Sequence, residues 1–132
     1  MIKVDDQIEE RIFWIDRELL KKYADASGDQ NPIHQDEAFA KSVGLPDVIA
    51  HGMLTMALVG KFISDWAGGS ANVKEFSARF TKHVVVPAGE KVDLTVSATV
   101  AEVSESGIQL NILATSGGVK VLGMTKAVVV GS

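Results

Sequence analysis

Cysteine is absent from the 132-residue chain. Its absence excludes a disulfide framework, a thiolate nucleophile and a thiolate metal site. Histidine is scarce, with three residues at scattered positions, which makes only a weak case for zinc. We therefore expect neither a metal ion nor another cofactor.

Excess positive charge and a long apolar run are also missing. The net charge is −4, so no broad basic field exists to neutralise the phosphates of a nucleic acid. The N-terminal residues MIKVDDQIEER contain no apolar signal segment, and no stretch is long enough to span a membrane. The expectation is a cytoplasmic protein with neither a nucleic acid nor a membrane as its partner.

Apolar residues make up 46% of the chain, which predicts one domain with its own core over residues 1–132. The first half reads as helical. A short strand over residues 8–14 precedes a helix over residues 17–26, which Asp16 caps and Gly28 ends. A second, short helix is predicted over residues 36–43.

The segment over residues 53–66 is apolar nearly all round, which predicts a helix buried on nearly all sides. At fourteen residues it is too short to cross a bilayer. The second half of the chain must therefore wrap it.

The second half alternates apolar and polar residues, which is typical of strands with one buried face. Strands are predicted over residues 91–100, 108–115 and 119–130, the last apolar on both faces at its end. Residues 73–86 read as one bent strand or a strand pair, with His83 as a strand residue. These strands predict an antiparallel sheet that curls round the buried helix.

Residues 29–34 (DQNPIH) carry the main chemical signal. Pro32 fixes its own φ and disfavours helix at Asn31, so the segment is a bent connection across which Asp29 and His34 can meet. A histidine beside a carboxylate is a common general acid–base pair. On residue types alone, a polar turn with local backbone bonds and His34 as a helix cap is the commoner reading.

Seventeen residues after His34, the run His51-Gly52-Met53 leads into the apolar helix. The run over residues 23–34 (YADASGDQNPIH), followed by residues 50–54 (AHGML), closely resembles the MaoC-like (R)-specific enoyl-thioester hydratases. It is similar in particular to their small single-domain members, which include the catalytic subunits of actinobacterial (3R)-hydroxyacyl-ACP dehydratases. The resemblance is strong over residues 18–60 and weaker over residues 76–130. It implies an α+β hot-dog fold, in which a curved antiparallel sheet wraps a long buried central helix.

The resemblance also implies roles for individual residues. Asp29 and His34 would be the catalytic pair with one water between them. Asn31 would support that arrangement as a substrate-binding residue. Gly52 would donate its N–H to the thioester carbonyl, which fits the free N–H groups of a helix N-terminus. Some relatives carry serine at the position of Gly60. In this chain the glycine either leaves room for the acyl chain, as a substrate-binding residue, or allows close packing of the helix on the sheet. His51 is interpreted as a structural residue.

The implied reaction is the reversible hydration of a trans-2-enoyl thioester to the (R)-3-hydroxyacyl thioester in fatty-acid metabolism. A hot-dog acyl-CoA thioesterase and a non-catalytic acyl-binding subunit are the alternatives. The carrier (CoA or acyl carrier protein), the chain length and the pathway stay open. Arg79 and Lys82 are either phosphate contacts or part of a solvated face.

Oligomerisation is expected because a lone curved sheet leaves its edge strands unpaired. We expect a homodimer whose two sheets join edge to edge. A heterodimer with a related subunit is the alternative.

Overall fold

The computed structural model describes residues 2–130. Three helices lie mainly in the first half of the chain: α1 (Arg17–Ser27), α2 (Glu37–Ser42) and α3 (Gly52–Ala67). Two short 3₁₀ turns span Pro32–His34 and Ser70–Asn72. The strands are β1 (Gln7–Ile15), β2 (Val73–Phe80), β3 (Val92–Ser104), β4 (Gly107–Ser116), β5 (Val119–Lys120) and β6 (Leu122–Val129).

All six strands form one antiparallel sheet with the order β1-β3-β4-β6-β2, and β5 pairs with β4 off this path. The sheet together with α3 is the α+β hot-dog fold, as predicted. Strands β1 and β2 lie at the two edges, and β2 also contacts α3. The prediction of a single domain over residues 1–132 stays a prediction, and residues 1 and 131–132 lie outside the described part.

The ends of α1 and α2 follow from their capping residues. The Asp16 side chain accepts a hydrogen bond from the Leu19 N–H at 2.9 Å, and Gly28 ends α1 in the left-handed conformation at φ 82°. Asp36 caps α2 in the same way, through the Phe39 N–H at 3.0 Å. Both helices are confirmed, although α2 ends at Ser42, one residue earlier than predicted.

Helix α3 is confirmed, but its predicted burial on nearly all sides is wrong for the isolated chain. Its inner face packs into the core, whereas Met53 is 61% exposed. Residues four apart lie on one face of a helix, and the exposed face of α3 consists of Met53, Ala57, Lys61 and Asp65. The sheet covers α3 from one side only, so composition alone overestimated its burial.

The alternation in β3 and β4 is confirmed residue by residue. Every second side chain points into the core opposite α3, while the intervening residues are partly or fully exposed. The inward-facing side chains of these two strands are Leu94, Val96, Ala98, Val100, Ile108, Leu110, Ile112 and Ala114. This apolar layer fixes the register of the sheet because a slip of one residue would turn it towards water.

The segment after β2 departs from the prediction. Strand β2 lies beside β6 at one edge, whereas β3 lies beside β1, so residues 81–91 must cross between distant strands. The crossing segment makes one isolated bridge, between Val85 and Ile49. The prediction of His83 as a strand residue is therefore wrong, since it lies exposed in this irregular connection.

The strand predicted over residues 119–130 is broken in two. Val121 separates β5 from β6, and Met124 adopts a positive φ of 49° near a register shift between β2 and β6. Such a bulge bends the strand locally.

Within residues 2–130, no helix is both long enough and apolar enough to cross a bilayer.

Candidate active site

The loop between α1 and α2 is built from local hydrogen bonds. The Asp29 Oδ1 accepts from the Asn31 N–H at 3.2 Å, and the Asn31 Oδ1 accepts from the Ile33 N–H at 3.1 Å. Asn31 thus caps the 3₁₀ turn that starts at Pro32. Its described contacts stabilise the loop, and its side-chain oxygen is already occupied. A direct contact with substrate stays a prediction.

The polar-turn reading is therefore right for Asp29 and Asn31 but wrong for His34. The cap of α2 is Asp36, whereas the His34 side chain points inward and is only 7% exposed. Its Nδ1 lies 2.7 Å from the carbonyl oxygen of Ile49. A carbonyl can only accept, so Nδ1 carries the proton and Nε2 of the neutral ring keeps a free lone pair.

His51 lies directly beside His34. The two rings stack with their centroids 3.9 Å apart and an angle of 22° between their planes. The centroid of the Tyr23 ring lies 4.8 Å from that of His51. The His51 Nε2 donates to the Asp29 carbonyl oxygen at 3.2 Å. Burial lowers the pKa of His51, and the neighbouring His34 lowers it further against the opposing effects of the Asp29 carbonyl and carboxylate. The neutral form of His51 is therefore favoured.

Asp29, His34 and His51 each present a ligand atom, and these three atoms lie within 4.8 Å of one another. No direct hydrogen bond joins the Asp29 and His34 side chains within the described residues, and a separation of this size is one that a single water can bridge. A metal must lie near the plane of each imidazole that binds it, about 2.0–2.1 Å from nitrogen for zinc. Two nearly parallel stacked rings do not offer one shared point of that kind, so the geometry favours a water.

Gly52 begins α3 next to this pair. No side chain caps the N-terminus of α3 within the described residues, and the N–H groups of a first helical turn have no acceptor inside the helix. A Cβ at position 52 would lie 3.2 Å from two ring carbons of Phe80. Glycine therefore leaves room for the Phe80 ring against the start of α3, at the cavity that both residues line.

A cavity of about 470 Å³ lies against His34 and Gly52. Its lining includes His34, Gly52, Thr55, Phe80 and His83. Asp29 is exposed and lies outside this lining, within reach of His34 from the surface side. The cavity thus holds an imidazole and a free helix N-terminus with a carboxylate nearby, which suits proton transfer next to a polarised carbonyl.

Gly60 does not line the cavity. A Cβ at this position would lie 3.5 Å from the Phe76 ring on β2, which is ordinary packing contact. This geometry favours the packing role over the acyl-chain role. Of the two basic residues considered, Lys82 lines the cavity and Arg79 does not.

The cavity residues that sequence reasoning did not assign to the site include Thr55, Phe80 and His83. Thr55 follows His51 by one helical turn, so the helical period could have placed it on the same face. Phe80 reaches the cavity from the end of β2, which packs against α3, and His83 reaches it from the crossing segment over residues 81–91. No local pattern signals either position.

The fold and this site define the class of protein. A family model described as "MaoC like domain" matches residues 4–121, and the chain belongs to this family. The chain is 41% identical over 69 residues to the 3-hydroxyacyl-thioester dehydratase X of Mycobacterium tuberculosis. That match covers 52% of this chain and 24% of the relative, so the chain spans about a quarter of its length.

Solved structures with the same fold superimpose on nearly the whole chain. A structure titled MaoC-like dehydratase superimposes with a TM-score of 0.96 at 35% identity, covering 99% of this chain and 41% of that one. The R-hydratase PhaJ1 from Pseudomonas aeruginosa superimposes with a TM-score of 0.82 at 27% identity, covering 99% and 84% of the two chains.

Proposed function

We propose that this chain catalyses the reversible addition of water to a trans-2-enoyl thioester, giving the (R)-3-hydroxyacyl thioester. The observation that carries the proposal is the approach of the Asp29 carboxylate to a buried His34 of fixed tautomer, beside an uncapped helix N-terminus. The names of the relatives, a 3-hydroxyacyl-thioester dehydratase and an R-hydratase, support the same reaction class.

The residues suggest how hydration proceeds. The Gly52 N–H donates a hydrogen bond to the thioester carbonyl oxygen and stabilises the negative charge that grows on that oxygen. The Asp29–His34 pair holds a water, whose OH adds to Cβ while a proton is delivered to Cα. One water is consumed, and the pair returns to its starting protonation state. The acid and base roles are assigned to the pair and not to either residue alone.

Two alternatives come from the same fold. A thioesterase requires a carboxylate and a water but does not account for the hydrogen bond that fixes the His34 tautomer. A non-catalytic subunit does not account for the presence of both Asp29 and His34 next to a cavity.

One assay separates the three functions. Crotonyl-CoA is incubated with the protein, and loss of the conjugated absorbance is followed together with release of free thiol. Hydration predicts loss of absorbance without thiol. A thioesterase releases thiol, and a non-catalytic subunit does neither, so either result would refute the proposal.

The carrier is proposed to be CoA, on the basis of a groove of about 570 Å³ that shares Lys82 and His83 with the cavity. The Trp14 indole in this groove is 59% exposed and offers a stacking surface for a base. Lys82 and Lys91 line the groove and take part in no ion pair of the described residues. On a chain of net charge −4, two unpaired lysines beside the cavity suit the phosphates of CoA.

Asp93 is the acidic residue in the same groove. Its carboxylate accepts from the Thr95 hydroxyl at 2.6 Å and from the Gly117 N–H at 2.9 Å. These bonds, the Thr95 bond first, lower the pKa of Asp93. Asp93 is therefore held as an anion whose oxygens are engaged by the protein, and Lys82 and Lys91 are the lysines of the groove that can face an anionic ligand.

A homodimer joined through the β2 edge is also proposed. Strand β2 pairs with β6 on one side only, and an open edge favours pairing with another strand. Next to this edge, Met53 and Phe80 are 61% and 56% exposed, although both are large apolar residues. A second copy would cover them, and a related chain is the alternative partner.

The cytoplasmic location expected from the sequence stays a prediction.

A further inference from the structure

His51 is the most buried polar side chain that the proposed reaction does not use. It is 1% exposed, and its Nδ1 has no hydrogen-bond partner within the described residues. An unpaired buried acceptor is unfavourable, and most buried polar atoms in proteins are paired. If the position only required a flat ring for packing, an apolar aromatic residue would fill it without that cost.

The Nε2 of His51 connects the loop between α1 and α2 to the start of α3 through a hydrogen bond. Asp29 to Asn31 otherwise form hydrogen bonds only with residues between positions 25 and 35. The bond from His51 to the Asp29 carbonyl is the described one that reaches beyond this range. It therefore fixes where the backbone of Asp29, and with it the carboxylate, lies relative to α3.

The face of the same ring supports His34. The two imidazoles stack at 3.9 Å, and His34 is also held at its Nδ1 by the Ile49 carbonyl. The titratable groups that face His51 are Asp29, His34 and Tyr23. One side chain thus contacts both members of the catalytic pair, through an edge nitrogen and through a ring face.

We propose that His51 is a positioning residue that sets the spacing between the Asp29 carboxylate and the His34 ring, acting as a neutral Nε2–H donor and as a stacking surface. The inference depends on the proposed role of Asp29 and His34. It gives His51 a function beyond the structural role expected from the sequence.

Two variants distinguish the hydrogen bond to Asp29 from the stacking on His34. His51→Phe keeps a flat ring and removes the donor, whereas His51→Gln keeps an amide donor near Nε2 and removes the ring. Thr125→Val is the matched control, because Thr125 is also buried with an unpaired side-chain oxygen but lies on β6 outside the cavity lining. Folding is checked by circular dichroism and thermal unfolding, and kcat and KM are measured on crotonyl-CoA.

We expect folded His51→Phe to lose roughly tenfold to a hundredfold in kcat with little change in KM, since small misplacement of reacting groups costs rates of this order. His51→Gln should recover part of the loss, and Thr125→Val should match the wild type. A folded His51→Phe within twofold of wild-type kcat would overturn the proposal. An inactive wild type would instead refute the proposed function.

A measurement on the wild type keeps the inference testable even if the variants do not fold. Long-range ¹H–¹⁵N correlation spectra report which ring nitrogen of each histidine carries the proton. We expect neutral His51 protonated at Nε2 and His34 protonated at Nδ1 at neutral pH. A His51 ring that is protonated at Nδ1, or charged at that pH, cannot act as described and would overturn the proposal independently of activity.

Discussion

At the scale of single residues, the Asp29–His34 pair carries the proposed reaction. Asp29→Asn and His34→Ala should each lower kcat by about a hundredfold to ten-thousandfold, the usual cost of losing a general acid or base. Asp29→Asn should remain folded, because Asp29 is exposed and Asn31 still caps the loop. His34 is buried, so His34→Ala is assayed only after its fold has been verified by circular dichroism. The check is hydration of crotonyl-CoA at matched concentrations of folded protein.

Asp65→Asn is the control for the change of an aspartate to an amide. Asp65 is an exposed residue on the outer face of α3, and it pairs with Arg11 and Lys61 rather than with the cavity. Its turnover should equal that of the wild type. A folded His34→Ala protein with near-normal hydratase activity would refute the assignment of the pair.

Gly52 gives a second prediction at this scale. Its Cβ in Gly52→Ala would meet the Phe80 ring at 3.2 Å, close enough that the ring or the ligand must shift. Because alanine favours a helix more than glycine does, the variant should fold. Crowding at the carbonyl site should lower kcat/KM by about tenfold, as expected for a modest displacement of the reacting group.

The double variant Gly52→Ala/Phe80→Leu tests the cause of that loss. A smaller, flexible side chain at position 80 removes the contacting ring carbons and should restore part of kcat/KM. An unchanged kcat/KM in Gly52→Ala would instead mean that no ligand approaches this backbone closely.

Most of the residue chemistry was predictable because it lies in two short segments. The bend at Pro32 and the glycine before an apolar helix are local features, so Asp29, His34 and Gly52 could be named as candidates without the fold. Their catalytic and binding roles stay a prediction. Phe80 and His83 could not, because Phe80 meets the start of α3 only through the packing of β2, and the position of His83 depends on how residues 81–91 cross between β2 and β3.

At the scale of elements, Gly60 tests how α3 packs on β2. A methyl group at position 60 would make ordinary contact with the Phe76 ring at 3.5 Å, whereas a leucine would collide with it. Gly60→Ala should therefore be stabilising by up to about 1 kcal/mol through helix propensity. Gly60→Leu should destabilise by about 1–3 kcal/mol through overpacking. Thermal and denaturant unfolding measure both changes.

The same variants distinguish packing from control of chain length. If Gly60 is a packing residue, as the contact with Phe76 suggests, Gly60→Leu lowers activity on long and short enoyl thioesters equally. A selective loss on the long substrates, with crotonyl-CoA unaffected, would show that the acyl chain runs past this position.

The elements themselves differed in how far local pattern determined them. The period of two in β3 and β4 gave the correct inner face because one sheet face meets the core and the other meets water. In α3, apolar residues such as Met53 lie outside the core of the isolated chain, so hydrophobicity predicted more burial than the sheet provides. The break at Val121 and the bulge at Met124 have no period to signal them.

At the scale of the whole molecule, the open β2 edge predicts a dimer. Light scattering at micromolar concentration should give about 28 kDa, twice the 14.1 kDa of one chain. Met53→Lys should shift the species towards the monomer, because it places a charge in the proposed interface. Val103→Lys, at an exposed apolar position on β3, is the control and should leave the dimer intact. A single 14 kDa species for the wild type would contradict the homodimer and point to a separate partner chain.

The carrier is also a property of the whole molecule, because the groove is assembled from β1, the crossing segment and the turn after β4. In Lys82→Ala/Lys91→Ala, two positive charges facing the phosphates of CoA are removed. Exposed ion pairs are worth roughly 0.2–1 kcal/mol each, so the loss of two should raise KM for crotonyl-CoA by about twofold to thirtyfold with kcat little changed. The difference from the wild type should shrink at high salt, which screens exposed charges.

Crotonyl-pantetheine separates the groove from the catalytic cavity, because it carries the same acyl thioester without the nucleotide. Its KM should be the same in the wild type and in Lys91→Ala, because Lys91 lines only the groove whereas Lys82 also lines the cavity. Lys21→Ala/Lys22→Ala removes two lysines that pair with Asp25 and Glu18 on α1, so it controls for the change in net charge. Equal KM changes for both substrates would show that the lysines act on the cavity itself. No change for either would mean that the groove does not bind the nucleotide, which leaves an acyl carrier protein as the carrier to test.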